Sequence, residues 1–549
     1  MFGYTRKLRL AAVGALLIAL PLAACTSKSA SVGASGASSS TPEQGTPVRG
    51  GTYTYDMQIA PQCSDPEVSP QFAVQQYSRP VLDSLVASSD GKTFKPWLAT
   101  SWTISPDAKS YTFHLRAGVT FSDGTTLDAS AVKYNFDRIY APATKSQYAK
   151  TLLGPYADTK VIDARTVQVD FTTPFNAFLA SAATANLGIQ SPTYLATAAP
   201  CSYPVGSGAY VIKSFNAQQG LTMTARPDYK WDPATAKNTG AAYISTITMN
   251  FVPSDTTRVG SLTSGQVQSI EAPPANEVAS LRKQGFQIIN EPQPGGVYDL
   301  YISQTIPLWQ NEKARLALRD ALDVPGMIDA LYDGVYRPAY SPIAATTPGY
   351  LKSLDGSWKQ NIAQANTYLD ELGYTGHNSA GFRTNASGQE LDALLVGADT
   401  REHRQDLQLL IKQAAAKVGI NITIKTDAST SATTLTNGAF GLTASAHVGG
   451  TPDILRLLFD SQAVPLNGGL NYGHVSDPHL DQWLDQATAT LDTATQDKLY
   501  GEVQQYVTDH ALAIPLYQEE TLNAATSKLK GITYDSVGYV LYYDAWLAP

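Results

Sequence analysis

The stretch "KPWLATSWTISPDAKSYTFHLRAGVTFSDGTTLDASAVKYNF", residues 95–136, decides how this chain is read. Ser105, Pro106 and Asp107 form a turn signal, because proline presets φ and an Asp side chain bonds nearby backbone. Tyr111 to Leu115 alternates with the period of two that marks a strand with one buried face. Ser122, Asp123 and Gly124 give a second turn. Asp128 stands at the N-cap position of a helix that carries Val132 and Phe136 on one face. The segment predicts strand, turn, strand, turn and helix, and it holds no catalytic or metal-ligating group.

Working outward toward the N-terminus, the chain opens with a basic head, Arg6, Lys7 and Arg9. Leu10 to Ala24 then run almost wholly apolar, interrupted by Pro21. A spanning helix needs about 20 apolar residues, and this run is shorter. Basic head, short apolar run and small residues are the order of a secretory signal, so residues 1–24 are read as one. Leu22-Ala23-Ala24-Cys25 resembles the bacterial lipobox, which implies acylation of Cys25 and a lipid anchor on the outer face of the cell membrane. The alternative is an ordinary secretion signal with a chance cysteine. Residues 25–49, rich in Ser, Ala and Gly, lack apolar periodicity and cannot offset their ordering entropy, so they read as a flexible tether.

The remaining 500 or so residues exceed one core, so two or three domains are expected. Net charge is −8, and about −11 once the basic head is removed. An acidic body with no basic cluster argues against nucleic acid as a partner. Of three cysteines, Cys63 and Cys201 are left after Cys25. An even pair in an oxidising compartment reads as one disulfide, with two buried free thiols as the alternative.

The folded body begins at "GGTYTYDMQI", where Tyr53 and Tyr55 alternate as a strand. Val81, Leu82, Leu85 and Val86 follow on one helical face. Far downstream, "LDALLVGAD" (391–399) reads as a strand. In "RQDLQLLIKQAAAKVG" the residues Leu407, Leu410, Ile411, Ala414 and Val418 share one helix face, with Gly419 at the C-terminal cap. "INITIK" then alternates as a strand. Strand–helix–strand predicts a parallel βαβ unit, hence an α/β class.

Leu98-Ala99-x-Ser101-Trp102, followed by Tyr111-Thr112-Phe113-x-Leu115-Arg116-x-Gly118-Val119-x-Phe121-x-Asp123-Gly124, resembles the signature of family 5 extracellular solute-binding proteins. These are the oligopeptide, dipeptide and nickel-binding components of ABC importers. "YPVGSGAYVI" (203–212), "KARLALRDALDVPGMIDALYDG" (313–334), "TPDILRLLF" (451–459) and "AIPLY" (513–517) are similar to further family segments in the same order. The resemblance implies a two-lobed, type II periplasmic-binding-protein fold with an extra subdomain in the N-terminal lobe. It places lobe I at 50–82, 204–296 and 525–549, the subdomain at 83–203 and lobe II at 297–524, with exchanges near 296 and 524.

An enzyme reading finds little to hold. "PVGSGAY" lacks the spacing of a nucleophile elbow and suits a tight turn. His474, Asp477, His479 and Asp481 match no standard metal spacing and read as a turn and helix start. No metal or cofactor is expected, and no catalytic residue is assigned. A binding reading needs a cleft that closes by hinge motion around a small ligand. Gln58, Tyr298, Gln304, His447, Gly449, Asn471 and Tyr472 are the candidate ligand contacts. The aspartate by which peptide-binding members pair with an α-ammonium is absent from Val448-Gly449-Gly450-Thr451, and Ser303 and Gln304 stand at the family's usual Asn. Peptides held by backbone bonds, oligosaccharides, opine-like compounds and metal chelates therefore stay open as ligands. The expected partners are a small ligand, an ABC permease and the membrane through the lipid, with the protein a monomer. A secreted hydrolase, or a receptor presenting a peptide signal, are the competing functions.

Overall fold

The structure is a computed structural model that describes residues 45–146, 148–397, 403–426 and 434–549. The signal peptide, Cys25 and the tether up to residue 44 lie outside the described residues. Among those described, no helix is long and apolar enough to cross a membrane.

Two sheets organise the body. The first has seven strands in the order Gln287–Pro292, Glu520–Ala525, Ser269–Glu271, Thr52–Met57, Thr246–Phe251, Gly220–Ala225 and Tyr210–Asn216. Its central strand, Thr52–Met57, runs parallel to both neighbours. Alternation at that strand buries Tyr53, Tyr55 and Met57 on one side, the burial pattern of a central strand with a packed face. The second sheet has five strands, ordered Asn421–Lys425, Asp392–Val396, Leu442–Ser445, Tyr298–Ile302 and Ala513–Tyr517. Asp392–Val396 pairs parallel with Asn421–Lys425, and the helix Arg404–Ala416 lies between them in sequence. Leu407, Ile411, Ala414 and Val418 are buried, as their spacing predicts, and Gly419 takes φ +82°. A side chain at Gly419 would also stand 2.5 Å from Arg383 Cγ. Each sheet has its own large apolar cluster, which defines two lobes.

The diagnostic stretch 95–136 folds as expected. Ala99–Ile104 and Ser110–Leu115 pair antiparallel, and two later strands, Thr166–Phe171 and Tyr156–Asp163, complete a four-stranded sheet. Asp128 caps the helix Ala129–Tyr140 by accepting from Ala131 N at 3.1 Å. Val132 and Phe136 are fully buried. This subdomain shares one apolar cluster with the seven-stranded sheet. Burial at 25 cal/mol per Å² therefore welds it to lobe I rather than leaving it a separate body. The "PVGSGAY" segment is a close-packing turn: a Cβ on Gly208 would sit 2.4 Å from the carbonyl carbon of Val81. Ser207 is buried and donates to Asp83 Oδ2 at 2.8 Å, a structural role.

Three local outcomes differ from the sequence reading. Val81, Leu82, Leu85 and Val86, read from sequence as one helical face, are buried but lie past the end of the helix Phe72–Ser78, and Val86 opens the short strand Val86–Ala87. Segment 313–334 is two helices, Glu312–Ala321 and Val324–Tyr332. Pro325 cannot donate into a continuing helix, and Asp323 instead caps the second one through Gly326 N at 3.2 Å. The second exchange between lobes also comes earlier than 524. Glu520–Ala525 already pairs with Gln287–Pro292 and Ser269–Glu271 of the first sheet, so the chain crosses at Gln518 and Glu519.

Cys63 and Cys201 are bonded, with Sγ atoms 2.07 Å apart and a sequence separation of 138. The bridge fixes the loop that leads into the helix Phe72–Ser78. The double variant Cys63→Ser, Cys201→Ser is expected to lose about 2–5 kcal/mol of unfolding free energy, because the unfolded chain regains loop entropy. Reductant should destabilise the parent protein in denaturant titrations and leave the variant unchanged.

Candidate functional site

The two exchange segments lie side by side. One passes from Pro292 to Tyr298 and the other from Tyr517 to Glu520, and Gln293 N donates to Glu519 O at 2.9 Å. Beside them opens a cavity of about 870 Å³ between the lobes, within the ~300–1,000 Å³ of small-molecule sites. Lobe I contributes Gln58, Phe72 and Glu271 to its wall, the crossing segment Glu519 and Glu520, and lobe II Tyr332, Tyr336, Arg404, His447 and Tyr472.

The fold positions these groups by backbone geometry. Gln58 follows directly on the central strand and its backbone N donates to Glu271 Oε2 at 2.7 Å. Arg404 opens the helix of the βαβ unit. Its Nη2 pairs with Glu519 Oε1, and its Nε donates to Tyr517 Oη at 3.0 Å. The guanidinium lies 4.2 Å over the Tyr298 ring, a stacking geometry suited to its planar charge. Tyr332, Tyr336 and Tyr517 pack edge-on or tilted with centroids 4.7–5.4 Å apart. Burial raises the pKa of all three hydroxyls above the ordinary tyrosine range. They stay protonated and can donate to a ligand. Elsewhere on lobe II His447 stacks on Tyr472 at 5.5 Å, and its Nε2 lies 3.2 Å from Ser445 Oγ. Arg404 is the one lysine or arginine on the described wall, against three carboxylates.

Of the seven candidate contacts, Gln58, His447 and Tyr472 lie on this wall. The other four lie off it. Tyr298 is a layer behind, under Arg404. Asn471 is fully buried and holds the turn at 460–475, donating to Asp460 O and Val475 O at 3.0 and 2.8 Å. Gly449 packs where the 447–450 loop meets the first exchange segment, its N donating to Pro294 O at 3.0 Å. Gln304 N donates to Gly473 O at 2.8 Å, at the far end of its strand. Arg404, Glu271, Glu519, Glu520 and the tyrosine cluster were not anticipated. One signal was readable: Glu519-Glu520 interrupts "AIPLYQEETLNAA", an otherwise uncharged run, and a paired acid inside such a run needs a reason. The 474–481 cluster forms no cage: Asp477 caps the helix Pro478–Ala489, and His474 Nε2 lies 3.3 Å from Leu435 O. Among the described residues no three metal-ligating side chains converge.

The subdomain also reaches across to lobe II. Tyr148 Oη donates to Val448 O at 2.6 Å, and Asn176 Nδ2 donates to Ala487 O at 2.6 Å and to Thr490 O. These bonds span the subdomain and lobe II, so a hinge opening that parts the two would break them.

Glu520 is the electrostatic outlier of the wall. Burial pushes its carboxyl from 4.5 up to about 7, and Arg337 Nε at 3.2 Å offsets only part of that. A raised folded-state pKa means that the protonated form favours folding. The contribution is full below pH 4.5 and is lost as pH rises through about 7. Glu520→Gln should therefore flatten the decline of melting temperature across that window. Parallel curves for variant and parent would contradict this assignment.

Comparison with known proteins agrees with this geometry. The family described as bacterial extracellular solute-binding proteins, family 5 Middle, matches residues 93–460. The glutathione-binding protein GsiB of Escherichia coli (strain K12) is 28% identical over 448 residues, covering 79% of this chain and 82% of its own. The oligopeptide-binding protein AppA of Bacillus subtilis, solved with a nonapeptide, superposes with a TM-score of 0.79 at 20% identity, covering 92% and 100% of the two chains. DppA of Helicobacter pylori, solved with the peptide STSA, also gives 0.79, at 22% identity and coverages of 91% and 99%. The fold is thus the two-lobed type II binding-protein fold with mixed α/β lobes. The chain belongs to the bacterial extracellular solute-binding proteins of family 5.

Proposed function

We propose that this protein is the lipid-anchored receptor of an ABC importer, that it captures a short peptide or peptide-like zwitterion in the inter-lobe cavity, and that it delivers this ligand to the membrane permease. The observation that carries the reading is the split of charge around the cavity. Glu271, Glu519 and Glu520 stand on lobe I and the crossing segment, and Arg404 stands on lobe II. A molecule with an ammonium at one end and a carboxylate at the other would engage both lobes at once. Contacts made to both lobes exist only when they are closed, so such a ligand shifts the population toward closure. The missing acid at 448–451 is then replaced by carboxylates on the opposite wall. The curated relatives named as glutathione-binding support a ligand of this size and charge. The cavity volume suits a short ligand better than an extended one.

The N-terminal sequence supports lipid attachment at Cys25 with a tether after it, and the family's role supports delivery to a permease. Gln58, His447 and Tyr472 are proposed as ligand contacts, together with Arg404 and Tyr336. Globomycin treatment or Cys25→Ser should release the protein from the membrane fraction. Retention in that fraction would remove the anchor from the account.

Two calorimetric titrations test the binding mechanism. With glutathione and a panel of di- and tripeptides as probes, at least one should bind one-to-one with Kd near micromolar, about −8 kcal/mol. Arg404→Gln should weaken that probe at least about tenfold, the scale of one lost charge-assisted bond. Asn176→Ala tests closure, since Asn176 does not line the cavity. It removes subdomain-to-lobe II bonds, so apparent affinity should fall by roughly the loss in closed fraction, severalfold to tenfold. An Asn176→Ala protein that binds unchanged would show that these bonds do not hold the closed state.

A further inference from the structure

A second cavity, of about 210 Å³, lies inside lobe I and shares no wall residue with the inter-lobe cavity. Its mouth is formed by the exposed Ser89, Thr235 and Lys237, and its floor by buried groups. The floor is aromatic: Trp97, Tyr210, Tyr229, Tyr542 and Tyr543 are all at most 8% exposed. Most of their polar ends are engaged elsewhere. Tyr210 Oη donates to Ile244 O at 3.1 Å, Tyr543 Oη to Gly240 O at 2.6 Å and Tyr229 Oη to Asp83 Oδ1 at 3.2 Å. Trp97 Nε1 in turn donates to Tyr229 Oη at 3.3 Å. What remains for an occupant is largely ring surface.

Two polar groups on this wall are left over, Tyr534 Oη and one nitrogen of Arg79. Arg79 is 2% exposed and stacks 4.6 Å over Trp97. Its Nη1 donates to Ser84 Oγ and Ala183 O, at 3.0 and 3.2 Å, and its Nη2 donates to Leu82 O at 2.5 Å. Its Nε has no hydrogen-bond partner among the described residues. A buried donor without an acceptor carries an uncompensated desolvation cost, which an occupant would relieve. The two acids on the wall are already satisfied: Asp83 accepts from Ser207, Trp231 and Tyr229, and Asp544 from the backbone of Lys237 and Asn238. Asp83 and Asp535 also offset the Arg79 charge. The unmet need is thus for an acceptor, not for a charge.

We infer that this cavity is a second ligand site, which takes a small neutral aromatic molecule bearing one hydrogen-bond acceptor, with its ring among the tyrosines and its acceptor on Arg79 Nε. The volume exceeds the ~150 Å³ that suffices for benzene in an apolar protein cavity. The site is independent of the transport ligand, although Phe72 at one end of a helix lines the cleft and Arg79 just past its other end lines this cavity.

Benzamide is the probe, with benzoate as its charged counterpart. The readout is the indole resonance of Trp97 in protein labelled at tryptophan, assigned by its loss in Trp97→Phe. Benzamide should shift that resonance saturably, and benzoate should need at least about tenfold more. Ala236→Trp or Thr235→Trp, each at the mouth, should plug the cavity and abolish the shift while the melting temperature holds. Two variants guard against one that fails to fold. No saturable shift with benzamide, equal potency of benzoate, or a shift that persists in the folded plugged variants would each overturn the inference.

Discussion

Everything in this protein's cleft depends on the chain crossing between its two sheets at two adjacent places. The strands Gln287–Pro292 and Glu520–Ala525 pair in lobe I, and Tyr298–Ile302 and Ala513–Tyr517 pair in lobe II. The two short links between them therefore run together, tied by Gln293 N and Glu519 O. Such a double link resists sliding and twisting but permits bending, since few backbone dihedrals need to change. It also places side chains from the link itself against the ligand space. Glu519 is both a linker residue and the partner of Arg404, so the charge balance of the cavity and the hinge share an atom pair.

That placement has an energetic cost. Arg404 and Glu519 are both largely buried, and a buried ion pair is a weak source of stability because desolvation consumes much of the Coulomb gain. Glu520 beside it is raised toward neutrality by burial. A core built only for stability would carry apolar residues here. A perturbed carboxylate set among other charges in a cleft is the pattern of a site that recognises charge. The tyrosines that surround Arg404 add rigid area and donors with little loss of rotamer freedom.

Much of the fold was legible in sequence because it rests on local rules. Alternation at Tyr111–Leu115, the Asp128 cap and the helix face from Leu407 to Val418 each need only period and capping chemistry, and each formed. The departures also have local causes: Pro80 stands just past the end of the helix Phe72–Ser78, and a buried strand begins at Glu520. The wall of the cavity was far less legible. Arg404, Glu271 and Tyr336 come from three distant segments, and nothing in the spacing of those residues announces that the lobes bring them together. Asn471 is a candidate contact by sequence, yet its amide is spent on its own turn. A polar side chain in a loop signals either a ligand or a backbone in need of a partner, and only the three-dimensional bond pattern separates the two.

The central claim, that the lobes hold a short zwitterionic ligand between Arg404 and the carboxylates of lobe I, is most directly tested by native mass spectrometry of protein purified without denaturation from its own cells. The account predicts one bound mass in the range of a short peptide or peptide-like compound, released by unfolding and carrying both an amine and a carboxylate when fragmented. A bound species without either charged group, such as a neutral sugar, would contradict it.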